Sequence, residues 1–94
     1  DVLTSRGLGD VYKRQLYIRF EVKDKQGVLS QITKNLANNK ISIQRLIQIP
    51  NNKNKTASIV IITHTTKQIN SDKCLKSLQK NKNVIKKPVL LRLF

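Results

Sequence analysis

The feature that most constrains this chain is a change of hydrophobic period within four residues. Residues 16–23 read LYIRFEVK, with Leu16, Ile18, Phe20 and Val22 on one face and Tyr17, Arg19, Glu21 and Lys23 on the other. A period of two belongs to a half-buried strand. From Gly27 the apolar positions Val28, Leu29, Ile32 and Leu36 fall on one helical stripe of residues 27–38, and Asn38-Asn39 suits a helix end. Only Asp24-Lys25-Gln26-Gly27 separates the two patterns. A helix that starts this close to a strand end presents its first backbone N–H groups there without intrahelical partners.

The remaining patterns complete a fold. Ile41, Ile43, Ile47 and Ile49 alternate until Pro50, which cannot donate to a ladder and is expected to close the strand. Asn51-Asn52-Lys53-Asn54-Lys55 reads as a polar hairpin turn. Residues 56–65 form a β-branched run with Ala57, Ile59 and Ile61 on one face and Val60 and Ile62 on the other, the pattern of a central strand buried on both sides. Ser71 is the expected N-cap of a second helix carrying Cys74, Leu75 and Leu78, and residues 84–94 supply a last strand in which Pro88 fits an edge or bulge. The order β-α-β-β-α-β predicts an α+β, ferredoxin-like domain: four antiparallel strands with both helices on one face.

Composition divides the chain near residue 15. DVLTSRGLGDVYKRQ has two Gly, two Arg and no Asn or Ile, whereas the rest is crowded with Lys, Asn and Ile, and GLGDVYKRQ resembles translated adapter read-through. Residues 1–15 are therefore expected to be a non-native or disordered leader, and residues 16–94 the domain. Gly7-Leu8-Gly9 is no nucleotide fingerprint, since no strand pattern precedes it and no helix pattern follows.

A single small domain of 94 residues argues against a catalytic unit with its own cofactor site. No apolar run approaches the roughly 20 residues that span a bilayer, and the N-terminus lacks the apolar core of a secretory signal, so the chain reads as cytoplasmic. Cys74 has no partner for an internal disulfide, and neither it nor His64 stands at metal-ligand spacing, so no metal is expected. The formal charge of +14 suggests a polyanion, yet after residue 15 it comes from thirteen Lys and three Arg dispersed over helix faces and turns, which reads as a solvated surface.

Three function classes share the predicted fold. An RNA-recognition module stacks bases on aromatic residues of its central strands, but the strand from Thr56 has none, and Tyr17 alone reads as a packing residue. A small enzyme would need paired carboxylates or an activated nucleophile; Glu21, Asp24 and Asp72 are the only carboxylates after residue 15 and share no local site. His64, at a strand end, reads as structural, and Cys74 as a small buried hydrophobe. The third class is a regulatory module with a ligand at the opening junction. Gly27 lets a ligand approach the backbone there, and Asp24 can cap the helix or meet an ammonium group. One Gly without Gly-Lys-Ser/Thr does not make a phosphate loop. A zwitterion satisfies both halves of the site, although a capped turn with no ligand explains the same residues.

Asp24-Lys25-Gln26-Gly27-Val28-Leu29, followed by Ile32, Leu36 and Ile41-Ser42-Ile43, resembles the D-x-P-G-V-L…I…L…I-S-I pattern of ACT domains, regulatory modules of amino-acid metabolism. Tyr17-Ile18-Arg19-Phe20, Gln48, the strand ending Thr63-His64 and the closing Leu91-Arg92 are similar to the C-terminal ACT domain of bacterial homoserine dehydrogenases. Gln26 stands where the pattern has Pro and frees that φ, and Gln68 stands where Glu is common. The resemblance implies effector contacts at Asp24, Gln26, Gly27, Val28, Leu29 and Ser42, with threonine the leading ligand. It also implies a homodimer through the second strand, residues Ile41, Ile43, Arg45, Ile47 and Ile49. The parent oxidoreductase would use NAD(P) in domains absent from these residues, leaving this fragment without catalysis or cofactor. A sensor module of another amino-acid enzyme, or a free-standing one, is the alternative.

Overall fold

The computed structural model describes residues 13–93. The described elements are β1 (Lys13–Arg14), β2 (Leu16–Lys23), α1 (Val28–Asn38), β3 (Ile43–Asn51), β4 (Thr56–Thr63), β5 (Thr66–Lys67), α2 (Gln68–Lys80) and β6 (Val89–Arg92). Four strands make an antiparallel sheet in the order β3-β4-β2-β6, and β1 pairs with β5 beside it. This is the α+β, ferredoxin-like arrangement that the patterns predict.

The alternation of β2 places Leu16, Ile18, Phe20 and Val22 in the core, where they meet Ala57, Ile59 and Ile61 of β4. Val28, Ile32 and Leu36 of α1 and Cys74 and Leu78 of α2 cover the same face in one continuous cluster. Ile32, Leu36, Ile59, Ile61 and Leu78 are wholly excluded from solvent. Each contributes about 1.5–3 kcal/mol by burial, which makes this one layer of contact the main source of cohesion.

Five expectations change in detail. The predicted double burial of β4 does not occur: with both helices on one face, Ser58, Val60 and Ile62 stay half-exposed on the other. The second strand runs from Ile43 to Asn51 rather than from Ile41, and the register shifts between Ile43 and Arg45. That extra residue breaks the alternation, so Ile41 and Ile43 pack with the core while Ile47 and Ile49 lie on the open face. Pro50 does not end β3 but pairs with Ala57 within it, as an edge strand permits. Ser71 is not an N-cap, because α2 already begins at Gln68; its hydroxyl donates to the Gln68 carbonyl at 2.7 Å from within the first turn. The last strand is confined to Val89–Arg92, with Val84 held to Val22 by an isolated bridge and Pro88 buried between.

The expected leader lies outside the described residues as far as residue 12, Gly7-Leu8-Gly9 included. Its last residues join the domain: Lys13 and Arg14 pair with Lys67 and Thr66, and the Gln15 carbonyl accepts from the Leu93 N–H at 2.6 Å.

Thr63 and His64 act as a clamp between strands. The buried Thr63 hydroxyl accepts from the Leu16 N–H at 3.1 Å and donates to the His64 carbonyl at 2.7 Å. The His64 N–H donates to the Ser42 carbonyl at 2.9 Å, which ties the end of β4 to the entry of β3. Both residues thus have a structural role, and the His64 ring is exposed.

Candidate functional site

The junction from Asp24 to Leu29 is built by its backbone. The Asp24 N–H donates to the Lys55 carbonyl at 2.9 Å and the Lys23 N–H to the Asn83 carbonyl at 2.8 Å, so two neighbouring loops hold the exit of β2. The Lys25 N–H folds back to the Lys23 carbonyl at 3.0 Å, and the Val28 N–H reaches the Lys25 carbonyl at 3.3 Å. Gly27 then enters α1 with φ 86°, in the left-handed region. A Cβ there would meet nothing within 4 Å, so the demand for glycine is conformational rather than steric.

No side chain caps α1, and no acidic residue lies in its first turn. Gln31 closes the first helical bond to the Gly27 carbonyl at 3.0 Å, while the Leu29 and Ser30 N–H groups have no acceptor among the described residues. Asp24 therefore does not fill the capping role. Its carboxylate is exposed and has no hydrogen-bond or ion-pair partner among the described residues. The other two side-chain carboxylates among the described residues are paired, Glu21 with Lys86 at 3.7 Å and Asp72 with Arg92 at 3.8 Å. The junction thus combines unused N–H donors, an exposed Gln26, a lone carboxylate and the exposed Lys23, Lys25 and Lys55. Donors of this kind suit a carboxylate group, and Asp24 suits an ammonium.

The structure brings together Asp24, Gln26, Gly27, Val28 and Leu29, with the Val28 side chain turned into the core. Ser42 lies elsewhere. It lines a shallow depression with Thr33, Ala37 and Lys40 at the opposite end of α1, about 16 Å away along an eleven-residue helix. Of the expected interface residues, Arg45, Ile47 and Ile49 line the edge strand with Ile43 at its start, whereas Ile41 precedes the strand and is buried. Lys55, whose carbonyl anchors Asp24 and whose φ is 53°, was not marked by the sequence patterns; a turn residue gives no sign of which backbone group it will hold.

Cys74 is buried and its thiol is pushed up to about 11 by desolvation, which removes it as a nucleophile near neutral pH. Among the described residues no three of His, Cys, Asp and Glu come together, and no helix is long and apolar enough to cross a membrane.

A family model for the AHAS small subunit-like ACT domain matches residues 18–86. This chain belongs to the ACT family. Among curated proteins the domain is 36% identical to a homoserine dehydrogenase of Helicobacter pylori over 77 residues, which is 82% of this chain and 18% of that protein. In structure it superposes on a homoserine dehydrogenase from Thiobacillus denitrificans with a TM-score of 0.79 at 26% identity, over 92% of this chain and 19% of the other. It also shares the fold of the ACT domain from the GTP pyrophosphokinase of Chlorobium tepidum, with a TM-score of 0.65 at 20% identity, over 87% of this chain and the whole of that one. The ACT domain described here thus spans about a fifth of the dehydrogenases it matches.

Proposed function

We propose that this ACT domain is the amino-acid-sensing part of an NAD(P)-dependent homoserine dehydrogenase, without catalysis or cofactor of its own, working in the cytoplasm. The observation that carries the sensing role is the junction itself, where the unused Leu29 and Ser30 N–H groups lie beside an unpaired Asp24. Such a site suits both ends of a zwitterion, and the reading takes a small amino acid, threonine first, as the ligand. The likeness to two homoserine dehydrogenases over most of this chain supports the parent enzyme. The family model, named for a different enzyme's small subunit, favours the second reading: a module of another amino-acid enzyme. A dinucleotide-binding domain encoded upstream would decide for the dehydrogenase, and an unrelated neighbour for the alternative.

Strand β3 is the edge through which two copies would pair. It is nine residues long, lacks a neighbour on its outer side among the described residues, and exposes Ile47 and Ile49, 42% and 58% open to solvent. Edge strands of this kind take up a further strand. A two-fold axis at Ile47, the midpoint of β3, sets Ile43 of one copy opposite Asn51 of the other. Asn51 pairs with Thr56, and Thr56 with Lys23, so this end of β3 is level with the effector junction. Ser42 of one copy then comes beside the 24–29 loop of the other, which reunites residues that a single chain keeps apart. Ligand and dimer would stabilise each other by linkage.

Calorimetric titration with each common amino acid tests the reading. Saturable binding of threonine or a close analogue is expected, and silence at millimolar concentration from a folded domain would refute it. Ile47→Lys should weaken dimer and ligand binding together; a monomer with unchanged affinity would place the site within one subunit.

A further inference from the structure

The second helix of the fold starts in a different setting. Lys67 precedes α2 with extended backbone, φ −71° and ψ 144°, and no side chain caps the helix. A depression of about 280 Å3 opens there, lined by Lys13, Lys40, Thr65, Thr66, Lys67 and Asn70. Its lysines come from separate parts of the chain. The pairing of β1 with β5 brings Lys13 opposite Lys67, and the end of α1 supplies Lys40. No carboxylate lines the depression, and Asp72, one turn into α2, is engaged by Arg92 at 3.8 Å.

The decisive group is Thr66. It is 6% exposed, it lines the depression, and its Oγ1 is buried without a hydrogen-bond partner among the described residues. Buried hydroxyls are nearly always satisfied, so an orphan among three lysines at an uncapped helix start marks the place of an acceptor. Lys40 adds to this. It adopts φ 61° at the end of α1, where its N–H donates to the Ala37 carbonyl at 3.0 Å and the Ile41 N–H to the Leu36 carbonyl at 2.9 Å. That hydrogen-bond pattern ordinarily ends on glycine; here it ends on a cation facing the depression.

We propose that this depression is a second ligand site, for a small oxyanion of the phosphate or phosphate-monoester class, separate from the 24–29 junction. The Thr66 hydroxyl and the first N–H groups of α2 donate to the anion's oxygens, and Lys40 and Lys67 balance its charge. Lys13 adds to the field, but it comes from the expected leader and the site stands without it. The inference does not depend on the amino-acid-sensing reading, whose 24–29 loop lies at the other end of α1.

The test is a titration of the full 94-residue chain with inorganic phosphate at constant ionic strength, followed by amide chemical shifts. Saturable shifts confined to Lys13, Lys40 and residues 65–71 are expected. Thr66→Val should bind about tenfold more weakly, the loss of one hydrogen bond to a charged group, while Thr66→Ser retains binding. Lys40→Gly, which relieves the left-handed backbone, should fold and bind more weakly, so it keeps the test decisive if Thr66→Val does not fold. Tighter binding of glycerol phosphate than of phosphate would assign the site to a metabolite, and equal binding to the free ion. Shifts spread over all the lysines, Thr66→Val binding like the parent, or neither ligand binding would overturn the proposal. So would a response to duplex DNA that Thr66→Val leaves intact, which would make the surface a nucleic-acid face.

Discussion

Both helices of this domain begin with backbone N–H groups that no side chain caps, yet the two beginnings keep different company. At α1 the preceding loop carries Asp24, unpaired and exposed, and the chain enters the helix through a left-handed Gly27. At α2 the preceding residue is an extended Lys67, the neighbours are lysines, and the buried polar group is the Thr66 hydroxyl. The donors are the same in kind. What differs is the charge beside them, and charge decides which ligand each can hold: a carboxylate near the donors selects for a ligand with its own cation, and cations near them select for a pure anion.

The largest contrast should appear in alkali. The buried stripe of α1 is Val28, Ile32 and Leu36, none of which titrates, whereas that of α2 contains Cys74. Burial pushes the Cys74 thiol from an ordinary 9.0 up to about 11. Between those values an unfolded chain has released the proton that the folded chain still holds, so stability present below pH 9 is lost as pH rises toward 11. A difference of that size is worth about 3 kcal/mol. Chemical denaturation from pH 8.5 upward should show the decline, with Cys74→Ala much flatter over the same range (about pH 9–11). Equal slopes in the two proteins would mean that the thiol is solvated.

Asp24→Ala is the next test and bears on α1 alone. Removing the carboxylate should weaken amino-acid binding by about 1–3 kcal/mol. Because Asp24 caps nothing, unfolding midpoints should not move. The change also makes the start of α1 resemble that of α2, so a plain aliphatic carboxylate should lose less affinity than the amino acid does. A fall in stability of about 1 kcal/mol with affinity intact would restore the capping role.

How far the sequence showed all this depends on whether a feature is local. The strand-to-helix junction was legible because its pieces are neighbours: the alternation of residues 16–23 matches β2, and Gly27 takes the left-handed turn. The phase change in β3 was not legible, since one extra residue near Gln44 leaves a run of isoleucines that still alternates on paper. Ser71 looked like a cap because it precedes the apolar stripe of α2; the helix starts a turn earlier on Gln68, which no capping residue announces. The α2 depression was hidden for a third reason. Lys40 and Lys67 are far apart in sequence and looked like dispersed surface charge, and Lys13 fell in the expected leader, until β1 paired with β5.

Gly27 and Lys40 sharpen the comparison further, because both adopt positive φ, at opposite ends of the same helix. Gly27→Ala should cost about 1–2 kcal/mol although a Cβ there meets nothing, and Gly27→Asn should recover part of it, since Asn tolerates this backbone. Thermal unfolding of the two variants checks the order; an Ala variant as stable as the parent would show that the loop relaxes.

Lys40→Gly is the smallest effect and runs the other way. Lysine at this position carries the conformational penalty of the left-handed region, and glycine does not, so the variant should gain up to about 1 kcal/mol on unfolding. The greater freedom of glycine in the unfolded chain takes back part of that gain. At the α2 depression the same change removes a cation and should weaken phosphate binding. The contacts that the 24–29 loop makes to an amino acid, at the far end of α1, should be untouched. A residue that lowers stability while serving a ligand is the signature of a position held for function. If Lys40→Gly raises the unfolding midpoint and leaves phosphate affinity where it was, Lys40 is only a strained helix end, and the difference between the two helix starts rests on Lys67 and Thr66.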